Sequence, residues 1–223
     1  MSFKPKKMVV VAPHPDDETL GAGGTIARFA AEGTEVAVLI VSGHLPPVYK
    51  PEVFEETVRE AEAALKIMGV KHWEFLRIPA LQVHQTPVPV LNGGILNFMR
   101  KHAPDTVLMP FPDRHIDHRA IFDACAVAVR PLGDVWPRTV LCYETLSETH
   151  WNVGGIEPSF IPDFFVDITA TMGKKQAALE AYASQIAHAP TRSIEACTAL
   201  AKFRGSQNGC GYAESFKVVR IVV

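Results

Sequence analysis

Residues 8–25 read Met8-Val9-Val10-Val11-Ala12-Pro13-His14-Pro15-Asp16-Asp17-Glu18-Thr19-Leu20-Gly21-Ala22-Gly23-Gly24-Thr25. The first five are apolar and stop at Pro13, which suits a short buried strand. His14 to Glu18 then carry almost all the polar chemistry of the stretch. A glycine-rich segment follows, and a helical pattern begins near Thr25. Strand, polar loop and helix in that order form part of a βαβ unit. In an open α/β sheet, ligands sit beyond the carboxyl ends of the strands, so this loop belongs to the binding face. A histidine and two aspartates packed there point to a metal site.

Outward from this stretch, strand and helix patterns alternate. The β-branched run at 34–41 reads as a second buried strand. Further strands are expected at 71–78, 104–109, 139–144, 163–168 and 218–223, the last as a candidate edge strand. Helices are expected at 52–68, 90–102, 118–129, 172–186 and 193–203. Gly69 stands in the usual position just past a helix end. Loops at 42–51, 79–89 and 147–162 remain, and loops as long as the last are often functional. There is no repeat, linker or low-complexity tract. The expected fold class is α/β, a single Rossmann-like domain over 1–223 with a mostly parallel sheet flanked by helices.

Composition narrows the function classes. The formal charge is −2 across 223 residues, so nothing draws the chain toward nucleic acid or an anionic membrane. No segment approaches the roughly 20 apolar residues that span a bilayer, so no stable membrane insertion is expected. Met1 to Lys7 is polar and basic and does not read as a signal peptide. The four cysteines show no CxxC spacing, and Cys125 and Cys142 read as reduced core residues. A cytoplasmic location is the expectation.

A second polar cluster, Asp113-Arg114-His115-Ile116-Asp117-His118, follows the strand expected at 104–109. Two strand-end loops of one parallel sheet can meet at the point where the strand order reverses. Together they offer enough His and Asp for a catalytic zinc, which takes three protein ligands and keeps one position open. Zinc brings the pKa of water in that position to about 7, and a carboxylate beside it can take the proton. Asp16, next to Asp17, is placed for that. The glycines at 21, 23 and 24 lack the full dinucleotide spacing, so close strand-to-helix packing is the better reading.

HPDDETLGAGG with a later RHIDH resembles the PIG-L/LmbE-like zinc-dependent deacetylases, a family of N-acetylglucosaminyl deacetylases. Arg59-Glu60 with Met68-Gly69-Val70 is similar to the family's helix ending. Tyr143-Glu144-Thr145 with Ser147 and Trp151 resembles its fifth-strand loop, most like the bacillithiol-synthesis branch. Tyr182 with Ser184-Gln185, Arg204-Gly205 and Tyr212-Ala213-Glu214-Ser215-Phe216 resemble its later motifs, so the likeness covers nearly the whole chain.

The resemblance implies zinc, one per chain, held by His14, Asp17 and His118; such ligands would also accept iron or cobalt. It implies Asp16 as general base, and His115 as second acid–base group or as the cation steadying the oxyanion. Asp117 would hydrogen-bond His115 and hold it charged. Arg59 and Tyr212 would contact substrate. His44, after the second strand, could line the site, and Trp151 could stack on a sugar ring or be core. One departure is visible: many members carry an acid after the third strand, and Ile78-Pro79-Ala80-Leu81-Gln82 has none.

The implied substrate is a small N-acetyl sugar conjugate, and bacterial members often assemble, so a homo-oligomer is compatible. Either Asp16 or His115 could protonate the leaving amine. A metal-dependent amidase or esterase for a non-sugar acyl group remains the alternative. A non-catalytic nucleotide-binding module is the reading from another class. It would not need an acid beside its ligands.

Overall fold

The computed structural model describes residues 3–133, 136–186 and 190–223. Seven strands form one sheet: β1 (Lys7–Ala12), β2 (Glu35–Gly43), β3 (His72–Pro79), β4 (Thr106–Pro110), β5 (Thr139–Tyr143), β6 (Phe164–Asp167) and β7 (Ala213–Ile221). Their order is β3-β2-β1-β4-β5-β7-β6. β1 to β5 are parallel, and β7 runs antiparallel to both β5 and β6. The helices are α1 (Asp17–Ala31), α2 (Pro51–Ile67), α3 (Val88–His102), α4 (Ile116–Ala128), α5 (Met172–Ala181), α6 (Ala183–Ile186) and α7 (Ile194–Ser206).

Successive side chains of β1 point to opposite faces, and each face has its own core. Met8, Val10 and Ala12 pack with Ile26 and Phe29 of α1, Leu65 of α2 and Ala178 of α5. Val9 and Val11 pack with Ile95 of α3 and Ile121 and Cys125 of α4. The strand order reverses between β1 and β4, so the loops after these two strands open side by side. That is where the two polar clusters fall.

Three elements differ from the sequence expectation. α1 begins at Asp17, well before Thr25, and takes in the glycine-rich segment. Those glycines are packing residues: a Cβ at Gly21 would lie 2.2 Å from the Tyr143 ring, and one at Gly24 would lie 2.6 Å from Ile168. The helix accepts about 1 kcal/mol per glycine and gains close approach to the sheet. The helix expected at 172–186 breaks at Tyr182, whose buried ring turns in to donate its hydroxyl to Glu18 Oε1 at 2.6 Å. The last strand begins at Ala213 and lies between β5 and β6; β6 is the edge. Glu214 and Ser215 hid its start, because both are polar and both are buried on ionic partners.

One of those partners bears on α1. Glu214 accepts from the Gly24 and Thr25 amides at 2.9 and 2.7 Å, and Lys175 donates to the Leu20 carbonyl at 2.8 Å. Lys175 and Glu214 themselves meet at 2.6 Å, both buried. Gly24 N–H and Leu20 C=O are the pair that would close one rung of the helix ladder. Here each is met from outside by one end of an ion pair from α5 and β7. Among the described residues, no helix is long and apolar enough to cross a membrane.

Candidate active site

The chain leaves β1 at Pro13 and turns into α1 through Asp16, whose backbone is left-handed at φ 115° and ψ −29°. A non-glycine residue there is strained, and such strain collects at functional sites. Surrounding contacts hold it: the Asp16 carbonyl accepts from Thr19 and Leu20 at 3.0 and 2.8 Å, and its amide donates to Glu18 Oε2 at 3.3 Å. Glu18 is fully buried and is fixed by the hydroxyls of Thr19 and Tyr182, both at 2.6 Å. It supports the loop from behind and does not face the cluster.

Asp17 Oδ2 lies 3.2 Å from His14 Nδ1 and 3.3 Å from His118 Nε2. Metal bonds of about 2.0–2.1 Å in a tetrahedron leave ligand atoms about 3.3 Å apart, so these two edges suit a shared ion. His118 Nε2 is buried and has no hydrogen-bond partner among the described residues. A donor set of two imidazoles and a carboxylate with such an orphaned nitrogen fits a divalent metal. His115 brings a third ring nitrogen within 4.8 Å of those of His14 and His118. Asp17 is the alternative third donor, with edges of 3.2 and 3.3 Å to His14 and His118.

Each histidine is aimed by a second contact. His118 Nδ1 meets Asp113 Oδ2 at 3.0 Å, and that oxygen also accepts from Thr149 Oγ1 at 3.0 Å. His14 Nε2 meets Asp117 Oδ2 at 3.0 Å, and that oxygen takes the Leu81 amide at 2.6 Å. Leu81, in the loop that lacks the family's usual acid, has φ 67° and aims its amide inward. Outer partners of this kind typically set 10–100-fold in metal affinity. Asp113→Asn should therefore weaken metal binding by about 10–100-fold, read by competition with a chromogenic chelator. Unchanged affinity would show that Asp113 does not orient His118.

Asp117 does not do what sequence suggested. Its carboxylate is committed to His14 and Leu81, and His115 Nδ1 instead accepts from the Asp117 backbone amide at 3.2 Å. The ring proton of His115 therefore sits on Nε2. Burial, reinforced by His14 and His118, pulls His115 down to about 4. It is a neutral hydrogen-bond donor at pH 7, not a cation held by Asp117.

The two candidate ligands behave oppositely. Burial works against a charged His14, but hydrogen bonds to Asp117 and Asp17 outweigh it and raise its pKa to about 8. Burial also opposes a charge on His118, yet Asp17 and Asp113 raise it to about 10. Metal ligands must be deprotonated, so loading at pH 7 should release about two protons per metal from His14 and His118, with Asp16 able to add a third, and affinity should rise with pH. Calorimetry in buffers of different ionisation enthalpy measures this; heats independent of buffer would refute it. For Asp16, burial is the largest influence, opposed by Arg192 and reinforced by Asp17 and Glu18, and the result is about 8. A nearby bound cation would draw that value down.

The family described as GlcNAc-PI de-N-acetylase (PIG-L) matches residues 9–129, which span both clusters and more than half of the chain. The chain belongs to the PIG-L family. A diacetylchitobiose deacetylase of Thermococcus kodakarensis is 28% identical, with 96% of this chain and 83% of that protein covered. A 1D-myo-inositol 2-acetamido-2-deoxy-alpha-D-glucopyranoside deacetylase of Rhodococcus jostii is 24% identical over 83% of this chain and 84% of its own. A conserved protein from Thermus thermophilus superposes with a TM-score of 0.78 at 31% identity, covering 97% of this chain and 96% of the other.

In this PIG-L chain the substrate contacts suggested by sequence divide. His44 is half-buried and packs edge-on against Tyr49, and both His14 and Arg192 add to the burial that lowers its pKa to about 4. Trp151 is 59% exposed and lines a cleft of about 350 Å³ with Arg114, Ser147, Glu148, Thr191 and Arg192. Arg59 is exposed on α2. Tyr212 is engaged elsewhere: its amide donates to Thr169 Oγ1 at 3.1 Å, and Lys202 sits over its ring. Strand register explains this, since Tyr212 continues the β6–β7 pairing past Asp167 and packs against the core. Tyr143 is core, its hydroxyl bonded to the Val11 carbonyl at 2.7 Å. His188 lies outside the described residues.

Sequence reading missed three contributors. Asp113 stands in the second polar cluster, and its place five residues before His118, across the start of α4, is the signal for its contact. The inward Leu81 amide left no signal, because any residue type carries one. Arg192 left none either, standing alone in a loop at Pro190-Thr191-Arg192-Ser193.

Proposed function

We propose that this chain is a metal-dependent cytoplasmic enzyme that removes the acetyl group from an N-acetylated amino sugar, an N-acetylglucosamine conjugate, releasing acetate and the free amine. The observation that carries this is Asp16 held beside the His14–Asp17–His118 triangle, with the neutral His115 ring against the same cluster at 4.7 Å from His14 and 4.8 Å from His118. Zinc is the proposed metal. When bound, it supplies Lewis-acid polarisation of the amide carbonyl and acidifies the attacking water.

The chain's own residues do the rest. Asp16 takes a proton from the attacking water as the new C–O bond forms. His115 donates from Nε2 to the oxygen on which charge develops, in a site where fixed donors are most effective. The C–N bond then breaks as Asp16 or His115 delivers a proton to the leaving nitrogen. Water and amide give carboxylate and ammonium. His44 and the cleft by Trp151 would face the sugar and its substituent.

The test is acetate release from N-acetylglucosamine and a panel of its glycosides, with metal content measured alongside. Release that is lost on chelation and restored by zinc supports the reading. Metal-dependent hydrolysis confined to non-sugar amides or esters would replace it with the broader hydrolase reading, and no hydrolysis at full metal loading would end it.

A further inference from the structure

The late part of the chain brings a cation against the proton-moving carboxylate. Arg192 stands in the short 3-10 turn Pro190–Arg192, far from both motifs in sequence. Its Nε lies 3.6 Å from Asp16 Oδ2. Both atoms are buried, and neither has a hydrogen-bond partner among the described residues. Buried polar groups are normally paired, and an unsatisfied donor or acceptor is destabilising.

The backbone of Asp16 is fixed by its bonds to Glu18, Thr19 and Leu20, but none of these holds Oδ2. Rotation of that carboxylate would move the proton acceptor away from the metal triangle. The Arg192 guanidinium is the cation paired with Oδ2. The gap of 3.6 Å is just beyond hydrogen-bond reach. A small movement of the turn would close it, and one oxygen of a water or substrate could also bind both atoms at once. Arg192 forms part of the wall of the cleft beside Trp151 as well.

We propose that Arg192 is a positioning residue, fixing the direction of the Asp16 carboxylate from a turn that also walls the substrate cleft. This inference rests on the deacetylase reading for its kinetic test, though not for its structural one. A guanidinium acting through Asp16 governs turnover. One that merely bound substrate would govern KM, and one that only held the turn in place would govern stability.

The experiment compares wild type with Arg192→Gln and Arg192→Lys, each loaded with zinc. Arg192→Gln should lower kcat by about 10- to 100-fold, the scale of a small misplacement of a reacting group. KM should change by less than about threefold, with Tm and metal content unchanged. Arg192→Lys should recover part of kcat, because the charge returns without the fork geometry. Unchanged kcat in Arg192→Gln, or a loss confined to KM or Tm, would overturn the proposal.

Crystal structures of zinc-loaded wild type and Arg192→Gln decide it independently. Asp16 should hold one rotamer in the first and turn in the second; the same rotamer in both would overturn it. If wild type releases no acetate from any probe, the deacetylase reading fails while these two structures still settle the role of Arg192.

Discussion

Asp16→Asn should cut acetate release by about 10²–10⁴-fold while leaving the metal in place. Asparagine keeps the size of the side chain and cannot take a proton. Asp17, not Asp16, is the proposed ligand beside His14 and His118, so metal content should match wild type. The fold should tolerate the change well. Asp16 sits at φ 115°, a region where asparagine is among the best-accepted residues after glycine. The substitution also removes a buried carboxylate whose Oδ2 has no hydrogen bond. Against that, Arg192 loses its carboxylate partner 3.6 Å away, so Tm should stay near the wild-type value. Steady-state kinetics with metal analysis and a thermal melt give all three readings, and wild-type turnover in the loaded variant would remove Asp16 from the mechanism.

Lys175→Met should be the most damaging change to stability among the residues outside the cluster. Methionine fills similar space, so the loss is mainly of charge. Glu214 then remains buried with two backbone donors but no cation, and the Leu20 carbonyl loses its outside partner. Breaking a buried pair from one side typically costs about 3–5 kcal/mol. For a domain of this size that corresponds to a fall in Tm of roughly 6–20 °C. Adding Glu214→Gln should restore much of the loss, because the orphaned charge disappears. Equal Tm values for the single and double variants would refute the charge argument and leave packing as the cause.

The legible part of this chain was the part governed by short-range pattern. Val9 to Ala12 and Val36 to Val41 are apolar because they are buried on both faces, and both read as strands at once. His14, Asp16, Asp17, His115 and His118 were legible because loops after parallel strands converge at a strand-order reversal. The illegible part was governed by contacts distant in sequence. The Asp117 carboxylate looked destined for its neighbour His115, yet the helix start turns it toward His14, 103 residues away. Glu214 reads as a loop acid until Lys175 is known to face it. Glu144 ends the strand expected at 139–144 and its partners are not visible in sequence; it is buried, and bonds from His150, Arg204 and Ser215 overcome that burial and hold it down at about 2.

The place of β7 sets an order of assembly. β6 pairs with β7 alone, and β7 supplies the Glu214 that reaches α1. A nascent chain that has exposed residues 9–129, the family's matched span, already displays every proposed metal ligand. It still lacks Tyr182 behind Glu18, Lys175 on Leu20, and the strand that gives β6 a neighbour. The site would therefore finish forming only when residues 213–221 clear the ribosome. Ligands are made first and their support last, so a stalled chain could offer metal-binding groups without the geometry to use them.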